Sequence, residues 1–133
     1  MKTIHVAAAV IRTAELPFRI FATARGYGPY KGMWEFPGGK IEPGESPEQA
    51  LKREILEELD ARIQVEGLIK TIEYDYPDFH LSMDCFWCKL MDDHLVLREA
   101  LDAKWLAQSE LHSVCWLPAD RVVLSEIESS YPR

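Results

Sequence analysis

The rhythm of apolar and polar positions changes several times along the chain, and each change marks an element. Val6 to Ile11 is an apolar run of six within a Val-, Ile- and Ala-rich stretch from Thr3 to Arg12, which predicts a buried strand. After a short connection holding Pro17, Phe18 to Arg25 reads as the second strand of a hairpin. Gly26 to Gly32 carries three glycines and a proline and predicts a loop. Met33 to Phe36 is a short apolar piece that ends in Pro37-Gly38-Gly39, a sequence unsuited to a helix or the interior of a central strand.

The rhythm then becomes helical. Ser46-Pro47-Glu48-Gln49 combines a capping hydroxyl, a proline at the first helical position and a glutamine three residues after the serine, so a helix is expected from about Pro47 to about Leu59. At 100° per residue, Leu51, Ile55, Leu59 and Leu56 span about 140° and are the expected core face. Glu54, Glu57 and Glu58 share an arc of about 100° on the other side. Beyond the helix, Ile63 to Tyr76 is β-branched, aromatic or long apolar, broken by Gly67, and Pro77-Asp78 turns the chain into a strand from Phe79 to Leu90. Asp92-Asp93 interrupts, Ala103 to Leu106 is a short strand, Ser109 is placed to cap a turn of helix, and a last helix runs from Pro118 to about Ser129. Strands, one long helix, more strands and a closing helix predict an α/β (α+β) fold, a mixed sheet with helices packed on it.

Composition narrows the function. The chain has 133 residues, the length of one domain, with 47% hydrophobic and 28% charged residues, which excludes disordered and collagen-like chains. A net charge of −7 disfavours a grip on duplex nucleic acid, which rewards a basic face. The six-residue apolar run is too short for a signal-peptide core or a membrane span, and three cysteines do not make a disulfide framework, so a cytoplasmic protein is expected. Cys85 and Cys88, three apart on a strand, should face opposite sides rather than share a metal. His80 is read as surface or strand-edge, and Gly26-Tyr27-Gly28 lacks the context of a dinucleotide fingerprint.

The chemistry gathers on the first helix. Glu54, Glu57 and Glu58 lie at i,i+3 and i,i+4 spacings, which brings their carboxylates together, and such like-charge pairs destabilise a helix by roughly 0.2–0.5 kcal/mol each. Arg53 can offset part of this through Glu57. The group reads as a solvated acidic face or as a site for a hard divalent cation, which prefers carboxylate oxygen. A metal site would let an acidic protein receive a polyphosphate.

The order Gly39, five residues, Glu45, seven residues, then Arg53-Glu54-Ile55-Leu56-Glu57-Glu58 resembles the signature box of the Nudix hydrolase family. All charged positions of the box are met. Asp60 stands where the family has glycine and Ala61 where it has a larger aliphatic residue. Asp tolerates left-handed backbone better than most residues, so the helix end can survive. Trp34 to Glu42, Glu73 to His80, Arg98-Glu99, Trp105 and Leu117 to Asp120 extend the likeness to the MutT-like branch, and within it to the CTP pyrophosphohydrolases.

The resemblance implies an α/β/α sandwich with a mixed sheet, one Nudix domain over 1–133, and hydrolysis of a nucleoside triphosphate to monophosphate and pyrophosphate. It implies a Mg²⁺ site, with Mn²⁺ as substitute, on Glu54, Glu57, Glu58, Glu99 and the Gly38 carbonyl. Glu45 and Arg53 match a structural ion pair in the box with Gly39. The general base is Glu54 or Glu57, with Glu99 as rival.

Arg25 and Lys40 are candidates for phosphate contact, and Phe36, Tyr76 and Phe79 for stacking on a base. Asp120 matches a position that is often Asn where oxidised guanine is preferred. An ionised Asp only accepts hydrogen bonds and suits the cytosine amino group, whereas a protonated Asp in an apolar pocket could read a purine. The expected partner is a nucleoside triphosphate such as (d)CTP or an oxidised dNTP, acted on by a monomer or homodimer. The competing readings are an 8-oxo-dGTP hydrolase, a non-catalytic nucleotide-binding module, and an enzyme of nucleotide sugars or dinucleotides, for which the chain has little spare length.

Overall fold

The computed structural model describes residues 1–130. Strand β1 (Lys2–Arg12) is followed by β2 (Arg19–Ala24), β3 (Trp34–Glu35) and β4 (Gly38–Lys40). Helix α1 (Pro47–Leu59) leads to the long β5 (Ile63–Asp75) and β6 (Phe79–Leu90), then β7 (Asp102–Ala107), a 3₁₀ turn (Gln108–Glu110) and α2 (Pro118–Ser130). The main path of the sheet is β3-β2-β1-β6-β5, with β4 on β1 and β7 on β2. β1 and β6 are parallel over their whole shared length while the other named strand pairs are antiparallel, so the sheet is mixed.

The continuous apolar run of β1 is explained by burial on both faces. Ala8 and Val10 join Met83, Cys85, Val123 and Leu124 in the core under α2. Ala7, Ala9 and Ile11 join Leu51, Ile55, Leu59 and Cys88 in the core under α1. The architecture is the expected α/β/α sandwich. Cys85 and Cys88 fall in different cores, as their spacing predicts, and burial pushes the Cys88 thiol up to about 12. Among the described residues no helix is long and apolar enough to cross a membrane.

Four expectations need correction. Leu56 is 45% exposed, whereas Ala50, Leu51, Ile55 and Leu59 are buried. Leu56 lies at the far edge of the apolar arc, and the helix is rolled so that its glutamate side turns inward instead. Gly67 does not break β5; the strand continues through bulges between Val65 and Gly67 and between Leu68 and Lys70. Gly38-Gly39, read as unsuited to the interior of a central strand, lies in the short strand β4 and pairs with Ala8 and Ala7 of the central β1. Ser109 lies inside the 3₁₀ turn; its flanking residue is Ala107, whose amide is bonded by the Glu110 side chain at 2.9 Å.

β1 changes partner along its length. It pairs with β4 at Val6–Ala8 and with β2 at Arg12. The larger of the cavities described below is lined by Thr23 and Ala24 of β2 and by Gly38, Gly39 and Lys40 of β4.

Candidate active site

Helix α1 begins as its sequence dictates. Ser46 Oγ accepts from the Gln49 amide at 3.1 Å and the Gln49 side chain accepts from the Ser46 amide at 2.8 Å, a complete capping box with Pro47 in the first turn. It ends at Asp60, whose φ of 50° and ψ of 33° are left-handed, with its amide bonded to the Leu56 carbonyl. The family glycine is thus replaced without loss of the turn.

Arg53 organises the face above. Its Nε donates to Glu45 at 2.8 Å and its Nη2 to the other Glu45 oxygen at 3.0 Å. Nη2 also donates to the Lys40 carbonyl at 3.0 Å, and Nη1 donates to Glu54 at 2.8 Å and to Glu57 at 3.4 Å. One guanidinium therefore ties the loop after β4 to the helix. It holds Glu45 down to about 2, chiefly by these hydrogen bonds.

The glutamates are not equivalent. Glu57 is exposed and its carboxylate pairs with Arg53 at 3.4 Å. The Glu54 carboxylate lies against Gly39, so close that a Cβ there would collide with it. Gly38 is equally confined, but by backbone: its Cβ would strike the Ala7 carbonyl and Ala8 Cα. Glu58 is pushed up to about 8, first by burial and then by the neighbouring Glu54, Glu35 and Glu99. Glu99 arrives from the loop before β7, where its carbonyl abuts Gly26 and the Leu101 amide bonds the Ala24 carbonyl at 3.0 Å.

Glu58 and Glu99 line a cavity of about 270 Å³ together with Arg25, Gly38, Gly39 and Lys40. Among the described residues no three His, Cys, Asp or Glu side chains stand close enough to hold a metal as they are placed. Arg53 draws Glu54 and Glu57 toward itself. The donor set nevertheless fits a hard cation. It is all oxygen, and a cation would relieve the repulsion that raises Glu58.

A second cavity of about 130 Å³ adjoins the first, sharing Arg25, Glu35, Gly38, Gly39 and Phe79 with it. It is lined by Phe36, Tyr76, Met83 and Leu117, and Asp120 lies in its wall. Asp120 is buried in the first turn of α2, and its Oδ2 accepts from the Phe36 amide at 2.9 Å. Burial pushes it up to about 7. The Phe36 ring is stacked on Trp116 with centroids 4.5 Å apart. Tyr76 is buried, accepts from the Ala119 amide through its hydroxyl at 3.2 Å, and stacks on Phe79 at 5.1 Å. Phe79 is the more exposed of the pair and faces both cavities.

All six expected substrate-contact residues therefore reach one of the two cavities. Arg25 does so while engaged in a fork with Glu35, at 3.1 and 2.7 Å. Glu35 is the residue sequence reasoning missed. It joins both cavities and acts electrostatically on both Glu58 and Asp120. Its signal was its place in Trp34-Glu35-Phe36, where one charge interrupts an apolar piece.

The NUDIX domain model matches residues 1–132. The 8-oxo-dGTP diphosphatase of Escherichia coli (strain K12) is 31% identical over 129 residues, covering 96% of this chain and 98% of that protein. The CTP pyrophosphohydrolase of the same organism is 36% identical, covering 66% of this chain and 77% of that protein. The solution structure of the E. coli ORF135 protein superimposes with a TM-score of 0.80 at 30% identity, covering 97% of this chain and 91% of that one. The chain belongs to the Nudix family and is a MutT-like hydrolase of acid anhydrides.

Proposed function

We propose that this chain, as one domain over 1–133, is a Mg²⁺-dependent nucleoside triphosphate pyrophosphohydrolase. It would convert NTP and water to NMP and pyrophosphate, with (d)CTP or an oxidised dNTP as substrate and Mn²⁺ as a substitute metal. The observation that carries this reading is the adjacency of two unlike cavities. One is ringed by Glu58, Glu99 and Gly38, and the other is walled by aromatic rings and Asp120.

Glu54, Glu57, Glu58, Glu99 and the Gly38 carbonyl would hold the metal, which when bound lowers the pKa of its water and screens the leaving pyrophosphate. Arg25 and Lys40 border the same cavity and meet phosphate oxygens. Phe79, backed by Tyr76, offers a ring face to the base, and Phe36 closes the pocket behind it. One of these same carboxylates, keeping an oxygen free of the metal, would also take the proton of the attacking water. Arg53 fixes the positions of Glu54 and Glu57, the residues proposed for that duty, and Glu99 is the alternative.

Asp120 selects the base. Ionised, its remaining oxygen accepts from a cytosine amino group; protonated, it donates to a purine. Its position near neutrality supports use of both CTP and 8-oxo-dGTP, the substrates named for the two E. coli relatives.

The test is mass analysis of products from CTP and 8-oxo-dGTP with Mg²⁺. Monophosphate with pyrophosphate, abolished by Glu57→Gln, is expected. Inorganic phosphate as the sole primary product refutes the assigned bond. Tight nucleotide binding without turnover under saturating Mg²⁺ makes the chain a binding module instead.

A further inference from the structure

The C-terminal end of α1 carries an unfavourable charge pattern. Glu57 and Glu58 lie where the helix dipole is negative, and the last turn holds no basic residue. The compensating groups come from the loop between β6 and β7. The Val96 amide donates to the Leu59 carbonyl at 2.8 Å and the Arg98 amide to the Glu58 carbonyl at 3.2 Å. His94 Nε2 donates to Asp60 Oδ2 at 2.8 Å, while Arg98 Nη2 lies 3.2 Å from Asp60 Oδ1 and Nη1 lies 3.4 Å from the Glu57 carbonyl. Among the described residues, Asp60 is the side chain on the helix end that both His94 and Arg98 grip.

The next residue after Arg98 is Glu99. On its other side, the Leu101 amide is fixed to Ala24 and the Glu99 carbonyl rests on Gly26. Glu99 is thus suspended between two anchors, one on β2 and one on the end of α1. A glycine at position 60 would suit the left-handed backbone better than aspartate and would contribute nothing to the second anchor. The carboxylate is therefore unexplained by the turn and explained by the loop.

We propose that Asp60 is a positioning residue that clasps the loop through His94 and Arg98 and so sets Glu99 over the cavity opposite Glu58. The inference rests on the reading of Glu99 as a residue of the reaction, and it adds a part that the glycine of the family box cannot play.

The variants Asp60→Gly, Asp60→Asn, Glu99→Gln and Asp60→Gly/Glu99→Gln test it. In the metal-free protein, residue-resolved amide exchange is expected to be at least tenfold faster at Val96 and Arg98 in Asp60→Gly than in wild type. The amides within α1 and the thermal midpoint should stay unchanged. Asp60→Asn, which keeps hydrogen-bonding capacity, should fall between. With Mg²⁺ and CTP, Asp60→Gly is expected to lower kcat three- to tenfold with KM little changed, and to lower it no further in the Glu99→Gln background.

Unchanged exchange at Val96 and Arg98 overturns the clasp, even where Glu99→Gln is impaired and the role of Glu99 stands. Faster exchange with undiminished kcat overturns the link to the reaction. A fully active Glu99→Gln removes the role of Glu99 itself, and the positioning role of Asp60 falls with it. Independent, multiplicative effects in the double variant assign Asp60 a structural role alone and overturn the proposal.

Discussion

Asp120 Oδ2 and the Phe36 amide are joined by a buried 2.9 Å hydrogen bond across 84 residues of sequence. The bond fastens the first turn of α2 to the segment that continues directly into Pro37-Gly38-Gly39. The wall of the smaller cavity and the backbone of the larger one are therefore one continuous piece of chain. Trp34 strengthens the junction, with its amide on the Cys115 carbonyl at 2.9 Å and its carbonyl accepting from the Leu117 amide at 2.8 Å.

Asp120 makes stability depend on pH, and on its proposed role base choice as well. Its folded-state pKa is about 7 against an ordinary 3.8, so between these values the folded protein binds a proton that the unfolded chain has released. The contribution is fully present below pH 3.8 and is lost as pH rises to about 7, a difference on the order of 4 kcal/mol. Urea unfolding at pH 5 and pH 8 should show Asp120→Asn gaining on wild type at the higher pH. Equal differences at both pH values count against the buried proton.

If Asp120 reads the base as proposed, the same proton acts on substrate. Ionised Asp120 favours cytosine, so the ratio of CTP to 8-oxo-dGTP turnover should rise several-fold from pH 6 to pH 8. Asp120→Asn should flatten that ratio and shift it toward the oxidised purine. Relative rates that ignore both the pH and the substitution would remove Asp120 from base selection.

Arg53→Lys tests whether the guanidinium fork, rather than its charge, places the glutamates. Arg53 serves Glu45, Glu54 and the Lys40 carbonyl at once, which one ammonium cannot do. The expected result is a drop of roughly 10- to 100-fold in kcat/KM, the scale attached to slight misplacement of reacting groups. On the acid side, Glu45 lies at about 2 in the folded protein, below its ordinary 4.5. Its stabilisation is therefore present above pH 4.5 and lost as pH falls through about 2. Glu45→Gln should weaken the acid dependence in that window, read by circular dichroism. Wild-type kinetics in Arg53→Lys would show that charge suffices.

The two adjacent glycines should fail in different ways when given a methyl group. At Gly38 the methyl meets backbone of β1, which cannot yield without parting the strands, so Gly38→Ala should cost about 1–3 kcal/mol of stability. At Gly39 it meets the carboxylate end of the Glu54 side chain rather than backbone, so stability should change by less than about 1 kcal/mol while turnover falls roughly 10- to 100-fold. Thermal melts beside steady-state kinetics separate the two, and a reversed pattern would contradict the placement of Glu54.

Much of this was legible in the sequence because it depends on local rules. Ser46 and Gln49 specify their capping box by spacing alone, Asp60 was expected to tolerate left-handed backbone, and Cys85 and Cys88 were separated by the two-residue period of a strand. What was lost depends on tertiary placement. A helical wheel orders Leu56 and Glu58 relative to one another but does not fix how the helix is rolled on the sheet, so the exposed leucine and the half-covered glutamate were not foreseen. Glu35 was overlooked because its partners, Arg25 on the loop after β2 and Asp120 on α2, are brought to it by the fold. The clasp on Asp60 was hidden for the same reason: His94 and Arg98 lie more than 30 residues away.

Glu58 offers the most direct test of the electrostatics. Its carboxylate is half-buried and faces Glu54, Glu35 and Glu99, an arrangement that opposes folding when no cation is present. Glu58→Gln keeps the shape of the side chain and removes one charge from the crowd. The metal-free variant should therefore melt several degrees higher than wild type at pH 9, where the wild-type group is ionised. Below pH 4.5, where Glu58 is protonated in the folded and the unfolded chain alike, the two should melt alike. Mg²⁺ should reverse the order at pH 9 by stabilising wild type more, since the variant lacks one of the proposed ligands. Calorimetry with Mg²⁺ should show at least tenfold weaker binding to the variant. A variant that is no more stable without metal and binds Mg²⁺ as well as wild type would mean that Glu58 is an ordinary surface glutamate, and the metal would have to be held elsewhere.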